Sequence, residues 1–285
     1  SFFSAFTMSE TGKLPIGVFD SGVGGLTVVR ALMERLPLEN IIYFGDTARV
    51  PYGVKSVATI EHFTGQITDY LLDQGVKMLI IACNTMAAVA SQVVKEKAGH
   101  IPVLDVIDAG ARAAVAESRS RAIGVIGTPT TVNSNAYARR MHALDPNVRV
   151  YSQACPLFVP LVEEGWLEHE VTRLTAQEYL KPVLAENVDT LVLGCTHYPL
   201  IKSLLQDVVG PNVRLVDSAI TVAEQAARML NELGIANHEL ADFVEHTLLL
   251  LPGWAGLFRR MEGAPGPTGR SHPKIMLIDF LAVRM

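Results

Sequence analysis

The chain has 285 residues, of which 49% are hydrophobic and 19% charged, and its formal net charge is −5. This length and apolar content predict one large domain or two ordinary domains with buried cores. The mild acidic charge argues against a nucleic-acid-binding protein. No run of Lys and Arg indicates a membrane surface, and no apolar run approaches the ~20 residues of a spanning helix.

Three cysteines, Cys83, Cys155 and Cys195, are widely separated. An odd number at such spacing favours free thiols in a reducing cytoplasm over a disulfide framework. Residues 1–10 are too short and too polar for a signal peptide, and we interpret them as an extension ahead of a start at Met8.

Short apolar strands alternate with helices along most of the chain. The predicted strands are 16–20, 41–44, 77–82, 102–106, 122–126, 148–151, 190–193 and 213–216. The predicted helices are 26–36, 56–74, 85–98, 109–118, 132–143, 168–186 and 221–233. This alternation predicts an α/β fold with mainly parallel sheets and helices on both faces.

The pattern repeats once. Ile16-Gly-Val-Phe-Asp20 corresponds to Ile123-Gly-Val-Ile-Gly127, and Ala82-Cys-Asn-Thr85 corresponds to Gly194-Cys-Thr-His197. The repeat predicts two similar doubly wound domains, residues 1–108 and 109–217. The active site is then expected in the cleft between them, at the carboxyl ends of the strands. Residues 236–285 do not keep the rhythm, and the Pro- and Gly-rich stretch 263–274 predicts a flexible tail.

A glycine-rich loop, Asp20-Ser-Gly-Val-Gly-Gly25, follows the first strand. It lacks the Gly-Lys-Ser/Thr ending of a P-loop and the third glycine of a dinucleotide fingerprint. Backbone N–H groups at a helix start can still bind an anion such as a carboxylate. A tight turn explains the glycines equally well, but it does not explain Asp20 and Ser21 at the strand end.

Two cysteines, Cys83 and Cys195, each end an apolar strand and precede polar residues. Either one alone is most simply a small buried apolar residue, and Cys155, which precedes Pro156, is interpreted as structural. The matched pair instead indicates two bases acting on one small substrate. Zinc is a poor interpretation, because Cys195 and His197 supply only two ligands.

Neutral hydrogen-bonding groups recur where the predicted strands end. Together they form a set of donors suited to carboxylates: Ser21, Asn84, Thr85, Thr128, Thr131 and Thr196. Another loop, 46–53, carries Tyr52 and Gly53 and reads as an ordinary turn. From the residues alone, Glu163 and Glu164 are a solvated helix end.

Several motifs in one order and spacing resemble the bacterial glutamate racemases. The five motifs are Ile16-Gly-Val-Phe-Asp-Ser-Gly-Val-Gly-Gly, Tyr43-Phe-Gly-Asp-Thr-Ala-Arg-Val-Pro-Tyr-Gly, Ala82-Cys-Asn-Thr, Cys155-Pro-Leu-Phe-Val-Pro and Leu193-Gly-Cys-Thr-His-Tyr-Pro. The resemblance covers about residues 14–232. It implies cofactor-independent interconversion of L- and D-glutamate in the cytoplasm for peptidoglycan synthesis, by a homodimer with no metal, nucleic-acid or membrane partner.

The resemblance also implies roles for individual residues. Cys83 would take the proton from D-glutamate and Cys195 from L-glutamate. Asp20 and His197 would assist the two thiols, and Glu163 would be an auxiliary acid. The positions implied to contact substrate are Asp20, Ser21, Tyr52, Gly53, Asn84, Thr85, Thr128, Thr196 and His197. Residues 218–285 would return to the first domain, although the tail from about 263 departs from the family pattern.

Two other functions remain open from the residues. A Cys–His hydrolase would use Cys195 with His197, but it has no use for Cys83. A two-lobed binding protein would need neither thiol. Within the racemase superfamily, aspartate is the nearest competing substrate, and the motifs favour glutamate.

Overall fold

The computed structural model describes residues 8–239 and 275–279. Its helices are α1 Met8–Lys13, α2 Leu26–Arg35, α3 Val57–Asp73, α4 Asn84–Ala98, α5 Val106–Glu117, α6 Pro129–Asn133, α7 Ala136–Leu144, α8 Phe158–Glu163, α9 Glu170–Leu184, α10 Lys202–Val209 and α11 Ser218–Glu232. Its strands are β1 Ile16–Asp20, β2 Ile41–Gly45, β3 Met78–Ile81, β4 Val103–Asp105, β5 Ala122–Gly127, β6 Arg149–Ala154, β7 Thr190–Gly194, β8 Arg214–Asp217 and β9 Ile275–Asp279.

Two parallel sheets form the framework. The first has the order β4-β3-β1-β2-β9 and the second has the order β6-β5-β7-β8. Every strand pairing among the described residues is parallel. β1, β3, β5 and β7 are buried along their whole length, because helices cover both faces of a parallel sheet. The predicted fold class is confirmed.

The two sheets share apolar packing. One buried cluster runs from the first sheet through α5 and α11 into Ile123, Val125 and Val192 of the second sheet. Helix α11 packs on both α2 and α5. The helix after β8 therefore packs back against α2, the helix that follows β1, and it lies in the apolar cluster that joins the two sheets.

The helix predicted over 132–143 is two helices. Thr128 caps α6 by accepting a hydrogen bond from the Thr131 N–H, and Pro129 occupies the first turn, where its missing N–H costs nothing. Asn135 then adopts a left-handed conformation with φ of 55° and separates α6 from α7. Side-chain periodicity does not reveal such a break, because asparagine tolerates both conformations.

The β–α rhythm of the sequence stops at residue 236, but one further strand follows. Strand β9 pairs with β2 at the edge of the first sheet. The stretch 263–274, predicted as a flexible tail, lies outside the described residues. Within the part of the chain that is described, no helix is long and apolar enough to cross a membrane.

Candidate active site

Adjacent strands place Asp20 and Cys83 together. β1 pairs with β3 in a register that sets Phe19 opposite Ile81, so both strands end at the same edge of the sheet. Asp20 ends β1 and is fully buried, and Cys83 lies at the N-cap of α4 with 4% of its surface exposed. The first sheet therefore presents one carboxylate and one thiol side by side.

The Cys83 thiol donates a hydrogen bond to Ser21 Oγ at 3.4 Å. Burial and the negative charge of Asp20 raise the pKa of Cys83 to about 12, although its hydrogen bonds lower it in part. The surroundings of Cys83 therefore favour the protonated thiol. One oxygen of Asp20, Oδ2, accepts the Gly25 N–H at 2.7 Å.

The second sheet repeats this arrangement. β5 pairs with β7 so that Gly127 lies opposite Gly194, and the next residues are Thr128 and Cys195. The sulfur of Cys195 lies 3.8 Å from His197 Nδ1, and His197 Nε2 lies 3.1 Å from Glu163 Oε1. Glu163, a solvated helix end from sequence alone, is thus a hydrogen-bond partner of the site histidine.

Neighbouring polar and charged groups set the pKa of His197. Burial lowers its pKa, but hydrogen bonds to Cys195 and Glu163 and the charge of Asp20 outweigh burial and raise the pKa to about 10. The same hydrogen bond from His197 lowers the pKa of Glu163. The charged neighbour of the Cys83 thiol is therefore the Asp20 carboxylate, whereas the Cys195 thiol lies beside His197.

The glycine loop after β1 touches the second domain. Thr27 Oγ1 lies 3.2 Å from the Thr196 carbonyl oxygen. A Cβ on Gly24 would lie 2.7 Å from the His197 ring and even closer to Thr196 Oγ1, so only glycine fits at this close approach. The loop that carries Asp20 and Ser21 thus packs directly on the segment that carries Cys195 and His197.

Threonine hydroxyls form a second contact between the domains. Thr128 Oγ1 lies 3.0 Å from Thr85 Oγ1 and 3.0 Å from Thr131 Oγ1. Thr130 Oγ1 donates to the Gly53 carbonyl oxygen at 2.7 Å. Thr85 follows β3 and Thr128 follows β5, and the sequence predicts that both contact substrate. The structure places them next to each other.

Tyr52 lies at the edge of this site in a polar network. It is 2% exposed, and its hydroxyl donates to Asp46 Oδ2. Asp46 also binds Arg49 at 2.6 Å, and the Arg49 guanidinium lies 4.1 Å over the centre of the Phe63 ring. The 46–53 loop is thus a braced structure and more than the ordinary turn that its residues indicate.

Sequence reasoning missed two contributors, Thr130 and Tyr137. Tyr137 is buried, and its hydroxyl donates to Asn84 Oδ1 at 2.7 Å across the two domains. No local pattern signals this role, because a tyrosine on a helix face is usually a core residue. Thr130 follows the strand-end threonine Thr128, and that proximity was the available signal.

Two polar atoms at the site have no hydrogen-bond partner among the described residues. They are Asp20 Oδ1 and Asn84 Nδ2. Both side chains are more than nine-tenths buried, and an unpaired buried polar atom costs free energy. Together the two atoms offer an anionic acceptor and a neutral donor next to Cys83.

The contacts of Cys155 differ from those of Cys83 and Cys195. It is fully buried in the apolar cluster of the second domain, and its sulfur is 3.6 Å from the Gln153 carbonyl oxygen. The Tyr198 hydroxyl donates to the Cys155 carbonyl oxygen. These contacts are those of a structural residue.

The fold and site define a class of protein: a two-domain α/β enzyme with matched cysteines at corresponding strand ends. The family profile described as "Asp/Glu/Hydantoin racemase" matches residues 25–226. The chain belongs to this racemase family, and it is an amino-acid racemase, an isomerase. A second profile, described as "Probable inorganic carbon transporter subunit DabA", matches residues 209–285.

Individual relatives agree. A protein from Syntrophus aciditrophicus, named glutamate racemase, is 71% identical over 225 residues, which are 79% of this chain and 83% of that protein. Francisella tularensis glutamate racemase, solved with D-glutamate, has a TM-score of 0.78 and 41% identity over 94% of this chain and 88% of its own. A Bacillus anthracis glutamate racemase has a TM-score of 0.83 and 34% identity, covering 94% and 98%. The motif resemblance to glutamate racemases is confirmed.

Proposed function

We propose that this chain interconverts L- and D-glutamate without a cofactor, with Cys83 and Cys195 acting as bases on opposite faces of the substrate Cα. The proposal includes supply of D-glutamate for peptidoglycan synthesis by a cytoplasmic homodimer. The relatives' names and the D-glutamate bound to the Francisella protein support the choice of substrate.

One observation carries the mechanism: two thiols lie at matched strand ends, Cys83 beside Asp20 and Cys195 beside His197. Removing a proton from one face of a carbon and returning one to the other face needs two groups, one as base and one as acid. Cys195 beside the His197 imidazolium suits the base, and Cys83 with its raised pKa suits the acid. This division matches the L-to-D direction.

The proposed reaction consists of two proton transfers at the substrate Cα. The Cys195 thiolate takes the Cα proton of L-glutamate, and the electron pair of that C–H bond stays on Cα. The carbanion then takes the proton of the Cys83 thiol from the opposite face, which leaves a Cys83 thiolate and a Cys195 thiol. The reverse direction uses these two states, and proton exchange with solvent resets the pair.

The carbanion needs stabilisation by the pocket, because an amino-acid Cα–H is a very weak acid. Preorganised donors aimed at the α-carboxylate provide it most effectively. We assign this role to Asn84 Nδ2 and to the hydroxyls of Ser21, Thr85, Thr128 and Thr196. The retained ammonium group of the substrate pairs with Asp20 Oδ1, and Tyr52 with Gly53 binds at the edge of the site.

Turnover in deuterated water tests the two-base mechanism. We expect product to gain deuterium at Cα before the remaining substrate does, because different groups remove and return the proton. Cys83→Ser and Cys195→Ser should each lose racemisation by at least about a hundredfold, with Cys155→Ser as the matched control. Equal early labelling of substrate and product would contradict two distinct bases.

The contact of Cys195 with His197, whose other ring nitrogen bonds Glu163, also suits a Cys–His hydrolase. That candidate predicts that Cys83→Ala keeps full activity and that an acyl-enzyme accumulates on Cys195. Circular-dichroism assays with L- and D-glutamate and no added cofactor separate the two functions, because only a racemase brings the optical signal of either enantiomer to zero by converting it into the other.

A further inference from the structure

Tyr137 contacts the neighbours of both cysteines. Its hydroxyl donates to Oδ1 of Asn84, the residue after Cys83. Its ring packs against Gly194, the residue before Cys195, so closely that a Cβ on Gly194 would lie 3.2 Å from Cε2 of the ring. A single side chain of the second domain thus touches both of the segments that end in a thiol.

The hydroxyl group of Tyr137 decides how the Asn84 amide points. An asparagine amide can rotate by half a turn and exchange its oxygen with its nitrogen. Tyr137 has one hydroxyl hydrogen, and its donation to Oδ1 at 2.7 Å holds the oxygen on the Tyr137 side. Nδ2 is then the atom left without a partner among the described residues, ready for a ligand oxygen.

The surroundings of Tyr137 leave it little freedom. The side chain is 2% exposed. A Cβ on Gly110 of α5 would lie 3.2 Å from Tyr137 Oη. The phenol is therefore tightly packed, so its hydroxyl has little room to move away from the amide.

We propose that Tyr137 is a positioning residue for the racemase reaction, which orients the Asn84 amide so that Nδ2 binds the substrate carboxylate. The inference rests on the proposed function, because it takes Asn84 as a substrate-binding residue. It adds a residue of the second domain that acts on a binding group of the first, so substrate affinity depends on the contact between the domains.

Tyr137→Phe tests the proposal, because it keeps the ring against Gly194 and removes only the hydroxyl. We expect the KM for both glutamate enantiomers to rise about tenfold, the effect of one buried hydrogen bond, with a smaller change in kcat. L- and D-glutamate have equal free energy, so kcat/KM must fall equally for both. Tyr198→Phe is the matched control: its hydroxyl is also buried but bonds the Cys155 backbone.

A double-mutant cycle with Asn84→Ala separates positioning from general destabilisation. If Tyr137 acts through Asn84, Tyr137→Phe raises KM little further once Asn84 is alanine, whereas Tyr198→Phe adds the same small effect in either background. Each variant is measured below its own thermal unfolding transition, so that a lower stability does not affect the comparison.

The outcomes distinguish this inference from the proposed function. If Asn84→Ala leaves KM unchanged, the assignment of Asn84 to the substrate site is wrong. If Asn84→Ala raises KM but Tyr137→Phe does not, or if the two effects on KM simply multiply, the positioning role of Tyr137 is wrong while the racemase site stands. Non-additive increases in KM support the inference.

Discussion

Gly24 is the point at which the loop after β1 meets the segment of the second domain that carries Thr196 and His197. A Cβ there would contact Thr196 Oγ1 and lie 2.7 Å from the His197 ring. Because these side chains are buried, they would have to shift away from Cys195. We expect Gly24→Ala to lower kcat about a hundredfold, since displacements of about 1 Å at a site have that effect.

Gly65→Ala is the control for that substitution. Gly65 lies within α3, where a new Cβ would meet the flexible end of Lys97 at 3.1 Å and make an ordinary contact with Val93 at 3.6 Å. A helix favours alanine over glycine by about 1 kcal/mol, so this variant should keep its activity and its stability. Steady-state kinetics and thermal unfolding check both variants, and a Gly24→Ala enzyme with normal kcat would contradict the close-approach argument.

Candidate site residues that lie in sequence motifs could be predicted from the sequence. Residues that contribute only through tertiary contacts could not. Cys83 and Cys195 stand out because each follows an apolar strand and precedes polar groups. Tyr137 lies on a helix whose pattern predicts only a buried face, and its partner Asn84 is 53 positions earlier. The pairing of Glu163 with His197 was likewise hidden, because a Glu at a helix end is usually solvated.

At the scale of elements, a buried ion pair anchors β3. Lys77 Nζ lies 2.5 Å from Glu39 Oε2, with 0% and 2% of the side chains exposed. It also donates to the carbonyl oxygens of Gly12 and Ile235, so it ties the start of β3 to segments before β1 and after α11.

Lys77→Met should therefore be strongly destabilising. The substitution leaves the Glu39 carboxylate buried without its cation, which costs about 3–5 kcal/mol. Urea unfolding measures the loss. The control is Lys97→Met, which removes an ion pair to Asp69 with 37% and 57% of the side chains exposed and should cost less than about 1 kcal/mol. Similar losses for the two variants would contradict the role of burial.

Element type was predictable where side-chain period and strand burial agree. The strands before both thiols read as continuous apolar runs, since both faces of a parallel sheet are covered. Strand β9 was missed because it lies 43 residues beyond α11 and its partner is β2, near the start of the chain. A single strand with no repeating context carries no signal of which edge it joins.

On the scale of the whole molecule, one carboxylate ties three helices together. Asp108 of α5 accepts hydrogen bonds from Arg112 at 2.9 Å, from Gln225 of α11 at 3.2 Å and from Arg140 of α7. These helices belong to the first domain's return segment and to the second domain. The cluster therefore braces the same domain relation that positions the two thiols.

Asp108→Asn tests this brace through pH. Burial alone would raise the pKa of Asp108, but hydrogen bonds from Arg112, Gln225 and Arg140 outweigh it and lower the pKa below 3.8. A lowered folded pKa contributes stability above the unfolded pKa of about 4, and that contribution is lost as pH falls through the folded value. Asp108→Asn should cost about 1–3 kcal/mol at pH 7, and the difference from wild type should disappear as pH falls through the lowered folded pKa of Asp108.

Urea unfolding across this pH range gives the measurement, with Asp69→Asn as the control. Asp69 pairs with Lys97 at the surface, so its substitution should change the free energy of unfolding by less than about 1 kcal/mol at pH 7. A gap between wild type and Asp108→Asn that stays constant from pH 7 to pH 2 would mean that shape, not charge, accounts for the effect.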